Sequence, residues 1–308
     1  MILFHQARLG ANIEGKLKKK RMFYEQDWLF NEFEGVPLLT QNATAGRDWL
    51  MQMGRAAEKA GITIQLCMPY PRHALQSVEL PAVTQIRVSD DYVPGPYWTH
   101  EDSAPQQWRI GGSSILADAL SLSAFKDSFW TNASEPGGSV FPPELAVEPA
   151  SAREAAVATL SAGPVTPSDA AGWGDRELIM RSSLDDGRLV QPDRPMVMLD
   201  EVFAAAALRS AARTGPELAA AEAAGPEGEV WSTYSTAAGL KWRMVFAAWL
   251  RRNYTITATT LTLGDKDDDD ESDLSDLSIN AIESPSASTR VRGAKKHLLH
   301  HFILPGSA

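Results

Sequence analysis

From Met22 onward, short runs of β-branched and aromatic residues alternate with longer stretches in which apolar positions return every three or four residues. Residues 22–28 form the first run, which opens at its end into Glu25, Gln26 and Asp27. Residues 62–68, 82–89 and 124–130 read as further strands and 163–166 as a short fifth one. Between the first two, Trp49, Leu50, Met53, Ala56, Ala57 and Ala60 share one helical face, with Thr44 as N-cap and Gly61 as stop. Helices are likewise predicted over 72–78, 108–122, 152–160 and 176–183. Strands that alternate with helices in this way predict a parallel sheet with helices outside it, either a β/α barrel or a doubly wound sheet. Neither a G-x-G-x-x-G run nor a P-loop occurs, which weighs against the nucleotide-binding versions.

The pattern changes after the turn at Asp185-Asp186-Gly187. An alanine-rich stretch over 204–224 carries no visible chemistry, and 230–234, 242–250 and 254–263 read as strands of a small antiparallel sheet. The expected organisation is a basic segment 1–21, a β/α domain 22–200, an Ala-rich insertion 201–227 and a reduced β-sandwich 228–308. The dense acidic run 265–276 cannot bury itself and reads as a solvated loop, since it lacks the ligand spacing of an EF-hand. His297, His300 and His301 have no carboxylate or cysteine close in sequence and read as surface residues.

Composition narrows the chemistry. The chain has 308 residues with 39 acidic and 29 basic side chains, a formal charge of -10, so it repels a phosphate backbone and nucleic acid is not an expected partner. The basic run KLKKKR at 16–21 reads as a solvated segment. A single cysteine, Cys67, rules out an intrachain disulfide and a thiolate zinc site, so neither a metal nor a cofactor is expected. No apolar run approaches the roughly 18 to 20 residues that span a bilayer, so no membrane is expected. The N-terminus lacks the pattern of a signal peptide, which leaves the cytoplasm as the default compartment and gives little weight to the glycosylation patterns at Asn42, Asn132 and Asn253.

In β/α barrels the reacting groups sit at the C-terminal ends of the strands. Here those ends carry Glu25-Gln26-Asp27-Trp28, then Gln65 and Cys67, then Arg87-Val88-Ser89-Asp90-Asp91-Tyr92, then Lys126-Asp127-Ser128-Phe129-Trp130. Two carboxylates flanked by aromatic rings are what cleavage of a glycosidic bond needs: one attacks the anomeric carbon, the other protonates the leaving oxygen, and the ring faces receive the sugar. Glu25, Asp27 and Asp91 could instead serve as oxygen ligands in a magnesium-dependent barrel lyase, a less favoured alternative.

The stretch IQLCMPYPRHALQSVELPAVTQIRVSDDYVPG, with GPVTPSDAAG and DDGRLVQPDRP further on, resembles the raffinose synthase and seed imbibition protein branch of the α-galactosidase-like glycoside hydrolases. The resemblance runs from about residue 22 to 203 and implies a TIM barrel, a β-sandwich after it, and retaining action on α-galactosides by hydrolysis or galactosyl transfer. It implies that Asp27 is the nucleophile and that Asp91, in the R-x-S-D-D motif, is the acid/base, with Asp90 as its rival. Arg87 would hold sugar hydroxyls, and Trp28, Cys67, Asp127, Trp130 and Asp169 would line the substrate pocket. The first three β/α units of such a barrel have no counterpart ahead of Met22, and Glu25 stands where the family often has lysine. The expectation is therefore a partial barrel whose exposed edge strands favour self-association. It is either a glycosidase acting on a carbohydrate or a catalytically inactive relative that binds sugar or a protein partner.

Overall fold

The structure is a computed structural model that describes residues 23–94, 110–135, 146–211, 229–238, 240–248, 250, 253–256, 277–279 and 291–292. The basic run, the acidic run and the histidines near 300 lie outside the described residues. The chain divides into two compact units, Met1–Pro195 and Met196–Ala308.

In the first unit, β1 (Phe23–Gln26), β2 (Thr63–Leu66), β3 (Val83–Arg87) and β4 (Ser123–Phe125) form one parallel sheet in the order β1-β2-β3-β4. These are the first four predicted strands, in chain order. The order does not reverse, whereas a doubly wound sheet turns back at a switch point. The predicted fifth strand is reduced to one parallel bridge between Phe129 and Pro167, held by Phe129 N–H to the Thr166 carbonyl (3.3 Å) and Ser168 N–H to the Phe129 carbonyl (2.9 Å). Pro164 and Pro167 bring no N–H, so this segment cannot extend a ladder. Among the described residues, no barrel closes.

The crossover helices lie where the hydrophobic period placed them. α1 (Leu29–Gly35) and α2 (Pro37–Gln41), which the periodicity did not predict, precede α3 (Ala45–Ala60). The Asn42 side chain accepts the Thr44 and Ala45 N–H groups at the start of α3, and Gly61 closes it in the left-handed region at φ 67°. Leu50 and Ala57 bury the inner face of α3, and Gly54 gives Leu80 room, since a Cβ there would lie 2.6 Å from Leu80 Cδ2 and force that side chain to shift. α4 (Pro71–Gln76), α5 (Ile110–Ala119), α6 (Ser151–Leu160) and α7 (Arg176–Met180) follow. Tyr92, Phe129, Trp130, Ala155, Ala158 and Leu178 form a buried cluster beside β4.

The register gives the sheet two unlike faces. Glu25, Gln65 and Gln85 stand side by side across β1, β2 and β3, and with period two the next residues on that face are Asp27, Cys67 and Arg87. Ile64, Leu66, Ile86 and Ala124 occupy the other face and are all buried. The ladder contains one irregularity: Ile64 pairs with Val83 but Gln65 pairs with Gln85, so Thr84 is an extra residue in β3. This bulge lets Val83 and Ile86 both bury on the apolar face while keeping Gln85 and Arg87 on the polar one.

In the second unit, β5 (Val197–Met198), β6 (Glu229–Ala237) and β7 (Leu240–Ala248) form an antiparallel sheet, with α8 (Asp200–Ala211) between β5 and β6 in sequence. The fully buried Trp231 stacks on Phe246 at 5.1 Å between ring centroids. β8 (Tyr254–Ile256), β9 (Leu277–Ile279) and β10 (Val291–Arg292) make a second antiparallel set. No described helix is long and apolar enough to cross a membrane.

Candidate functional site

The polar row of the sheet ends in the residues singled out from sequence. Asp27 directly follows β1, and its Oδ1 accepts the Trp28 N–H at 2.7 Å. Trp28 turns the chain through the left-handed region (φ 56°), a conformation that costs a bulky residue about 1–2 kcal/mol, and leaves its side chain 58 % exposed beside Asp27. Cys67 is buried one strand away and continues the ladder through its N–H to the Gln26 carbonyl at 2.9 Å. Its thiol lies within hydrogen-bond reach of Glu25 and Asp27. Burial pushes the Cys67 thiol far above its usual range, and the neighbouring carboxylates add to this against the Arg87 charge. Burial also raises the Glu25 carboxyl, helped by the Asp27 charge and opposed by bonds to Cys67 and Gln65.

Arg87, at the end of β3, is the buried cation of the site. Its Nη2 donates to Asp91 Oδ1 at 2.7 Å and its Nη1 lies 3.4 Å from Asp127 Oδ2. Burial alone would lower its affinity for a proton; the negative groups around it, Asp127 and Asp91 among them, more than offset that. Asp127 bonds the loop after β3 at both ends: its Oδ2 accepts the Tyr92 N–H at 2.7 Å, and its own N–H donates to Ser89 Oγ at 2.8 Å.

The two rival aspartates differ in surroundings. The Asp91 side chain is 64 % exposed and charge-paired with Arg87, whereas Asp90 holds Oδ2 in a buried position with no hydrogen-bond partner.

Two of the expected pocket residues serve other purposes. Trp130 is buried in the cluster beside β4 and meets Tyr92 edge-on at 6.3 Å, so its ring offers no open face for a sugar. Asp169 accepts from the Thr131 N–H (2.7 Å), the Thr131 hydroxyl (2.8 Å) and the Asn132 N–H (3.2 Å), which ties the two loops that follow β4 and the Phe129–Pro167 bridge. Among the described residues, no group of three or more His, Cys, Asp or Glu is placed to hold a metal ion, so Glu25, Asp27 and Asp91 do not form a ligand set.

Sequence reasoning missed what lies behind the site. One residue before Asp127, on the opposite face of the chain, fully buried Lys126 pairs with Glu154 Oε2 on α6 at 2.9 Å. The same ammonium sits 4.7 Å from the Tyr92 ring centre, and the Tyr92 hydroxyl donates to buried Glu148 Oε2 at 2.7 Å. Strand alternation predicts that Lys126 and Asp127 point to opposite faces; Glu148 carries no motif and was invisible. No protein-family model matches the chain, and no curated protein matches it.

Proposed function

We propose that the chain is a retaining glycosidase or galactosyl transferase acting on α-galactosides. Asp27 attacks the anomeric carbon, and the Asp90-Asp91 pair supplies the proton to the departing oxygen. The observation that carries this reading is the row Asp27, Cys67, Arg87 at the C-terminal edge of a non-reversing parallel sheet, with Asp91 and Asp127 charge-paired to Arg87. Barrel enzymes place their chemistry at that edge, and a strand order that never turns back is the order of a barrel wall. Exposed Trp28 beside the nucleophile provides the aromatic face for a sugar ring. Water or a second sugar would release the covalent intermediate, giving hydrolysis or transfer. Of the two acids, Asp91 is the one the sequence motif indicates and is paired with Arg87, while Asp90, its rival, holds Oδ2 buried and unpartnered.

The test is release of p-nitrophenol from its α-galactoside by the full chain and by Asp27→Asn. Loss of release in the variant supports the nucleophile; equal release removes Asp27 from the mechanism. Substrates with a poor leaving group separate the acids, because the variant lacking the proton donor loses those substrates first while keeping the activated one. A second reading, a non-catalytic sugar-binding or interaction protein, draws on the open four-stranded sheet and on the burial of Trp130. Sugar binding without turnover would favour it.

A further inference from the structure

Glu148 is fully buried in the first unit, beyond the reach of any substrate at the sheet edge, yet it is bonded into the site. Its Oε2 accepts the Tyr92 hydroxyl at 2.7 Å, and its Oε1 accepts the Ala150 N–H at 2.8 Å just before α6 begins. Tyr92 in turn donates its backbone N–H to Asp127 Oδ2, whose neighbour Arg87 Nη1 belongs to the guanidinium that holds Asp91. The Tyr92 hydroxyl also takes a backbone hydrogen bond from Trp130, so one side chain ties the loop after β3 to the loop after β4.

We infer that Glu148 is a proton-linked positioning residue: through Tyr92 it sets how firmly the Asp90-Asp91 loop is held against Asp127 and Arg87. The inference rests on the glycosidase reading for its kinetic consequence and on the hydrogen-bond chain alone for its structural one. Ionised, Glu148 is a charge-assisted acceptor that draws the Tyr92 hydroxyl toward it; protonated, it accepts more weakly. The charged and titratable groups that face it are Tyr92 from the loop after β3, Arg153 and Glu154 from α6, and Lys126 from the end of β4 through its contacts with Tyr92 and Glu154. Burial pushes the Glu148 carboxyl up to about 7, and the Glu154 charge adds to it, so the exchange of states falls near neutral pH.

The backbone amide shifts of residues 92 and 150, followed by NMR through a pH titration of the full chain, test the linkage without any substrate. The amides of Tyr92 and Ala150 should both move with a midpoint near pH 7, and Glu148→Gln should abolish both inflections. In Tyr92→Phe the Ala150 amide, bonded directly to Glu148, should keep its inflection while the amide of residue 92 loses it. An unchanged inflection at residue 92 in either variant overturns the inference. If the chain turns over α-galactosides, Glu148→Gln should remove an inflection near pH 7 from kcat and lower kcat on the order of ten- to a hundred-fold, with KM little changed. A fall in KM binding with an unaltered kcat profile contradicts the positioning role. Absence of any turnover counts against the glycosidase reading alone, because the amide titration decides the linkage by itself.

Discussion

Arg87 at the end of β3 and Asp127 just past the end of β4 meet: Nη1 of the first lies 3.4 Å from Oδ2 of the second, and that oxygen also takes the Tyr92 N–H. The guanidinium is thus the counter-charge for a carboxylate the fold has largely enclosed, while its other partner, Asp91, faces solvent.

Removing that cation should cost more than removing its exposed partner. Arg87→Met is expected to lower unfolding free energy by about 3 kcal/mol, because it strands Asp127. Asp91→Asn should cost less than about 1 kcal/mol, as an exposed pair does. Urea unfolding of both variants measures the difference; equal losses would mean that Arg87 is held chiefly by Asp91.

Asp169 should behave as a staple. It accepts three hydrogen bonds from Thr131 and Asn132, so Asp169→Ala is expected to destabilise by about 2–3 kcal/mol and Asp169→Asn by less. Thermal unfolding reads this. On the proposed mechanism, any turnover that survives should keep the KM of the parent chain, and a large rise in KM with normal stability would return Asp169 to the pocket.

Glu148 makes stability depend on pH in a direction opposite to the usual carboxylate. Its folded value, about 7, lies above the ordinary 4.5, so between these values the native state holds a proton that the unfolded chain has released. Stability contributed by this group is therefore full below about pH 4.5 and is lost as pH rises toward 7, by on the order of 3 kcal/mol in all. Glu148→Gln should flatten that slope and leave the chain more stable than the parent at pH 8. Denaturant midpoints between pH 4.5 and 8 check it, and parallel slopes for the two proteins would contradict it.

Cys67 should be inert in the native chain. Its thiol is buried and pushed far above its ordinary value, so a disulfide reagent at pH 8 should react only after urea is added. Rapid native reaction would place the thiol at an open surface rather than within the sheet.

Much of this architecture was legible because it rests on local rules. The 44–60 helix had both its stop and its apolar face written in the sequence, and the strands at 22–28, 62–68, 82–89 and 124–130 had the β-branched runs that a parallel sheet buries. α1 escaped because it begins directly after Trp28 in a left-handed turn, without a cap residue to announce it. The fifth strand failed because prolines removed the donors a ladder needs. Within the candidate site, Asp27, Arg87, Asp91 and Asp127 were readable as polar ends of apolar runs. Trp130 was misjudged, since an aromatic residue at a strand end carries no mark of which side it packs on. Glu148 and Glu154 were beyond reach because their partners are Tyr92 and Lys126, up to 56 positions away in the chain.

The extra residue in β3 has an implication for insertions and deletions. With Thr84 left out, Val83, Gln85 and Ile86 would face Ile64, Gln65 and Leu66 one for one, so the ladder would close up without a change of frame. A one-residue deletion inside β1 or β2, by contrast, inverts every side chain beyond it and sends carboxylates to the helix side. Thr84 is thus the position in these three strands where the chain can be shortened while Arg87 stays beside Cys67. A protein lacking Thr84 should fold with modest loss of stability, where one lacking Ile64 should not fold at all.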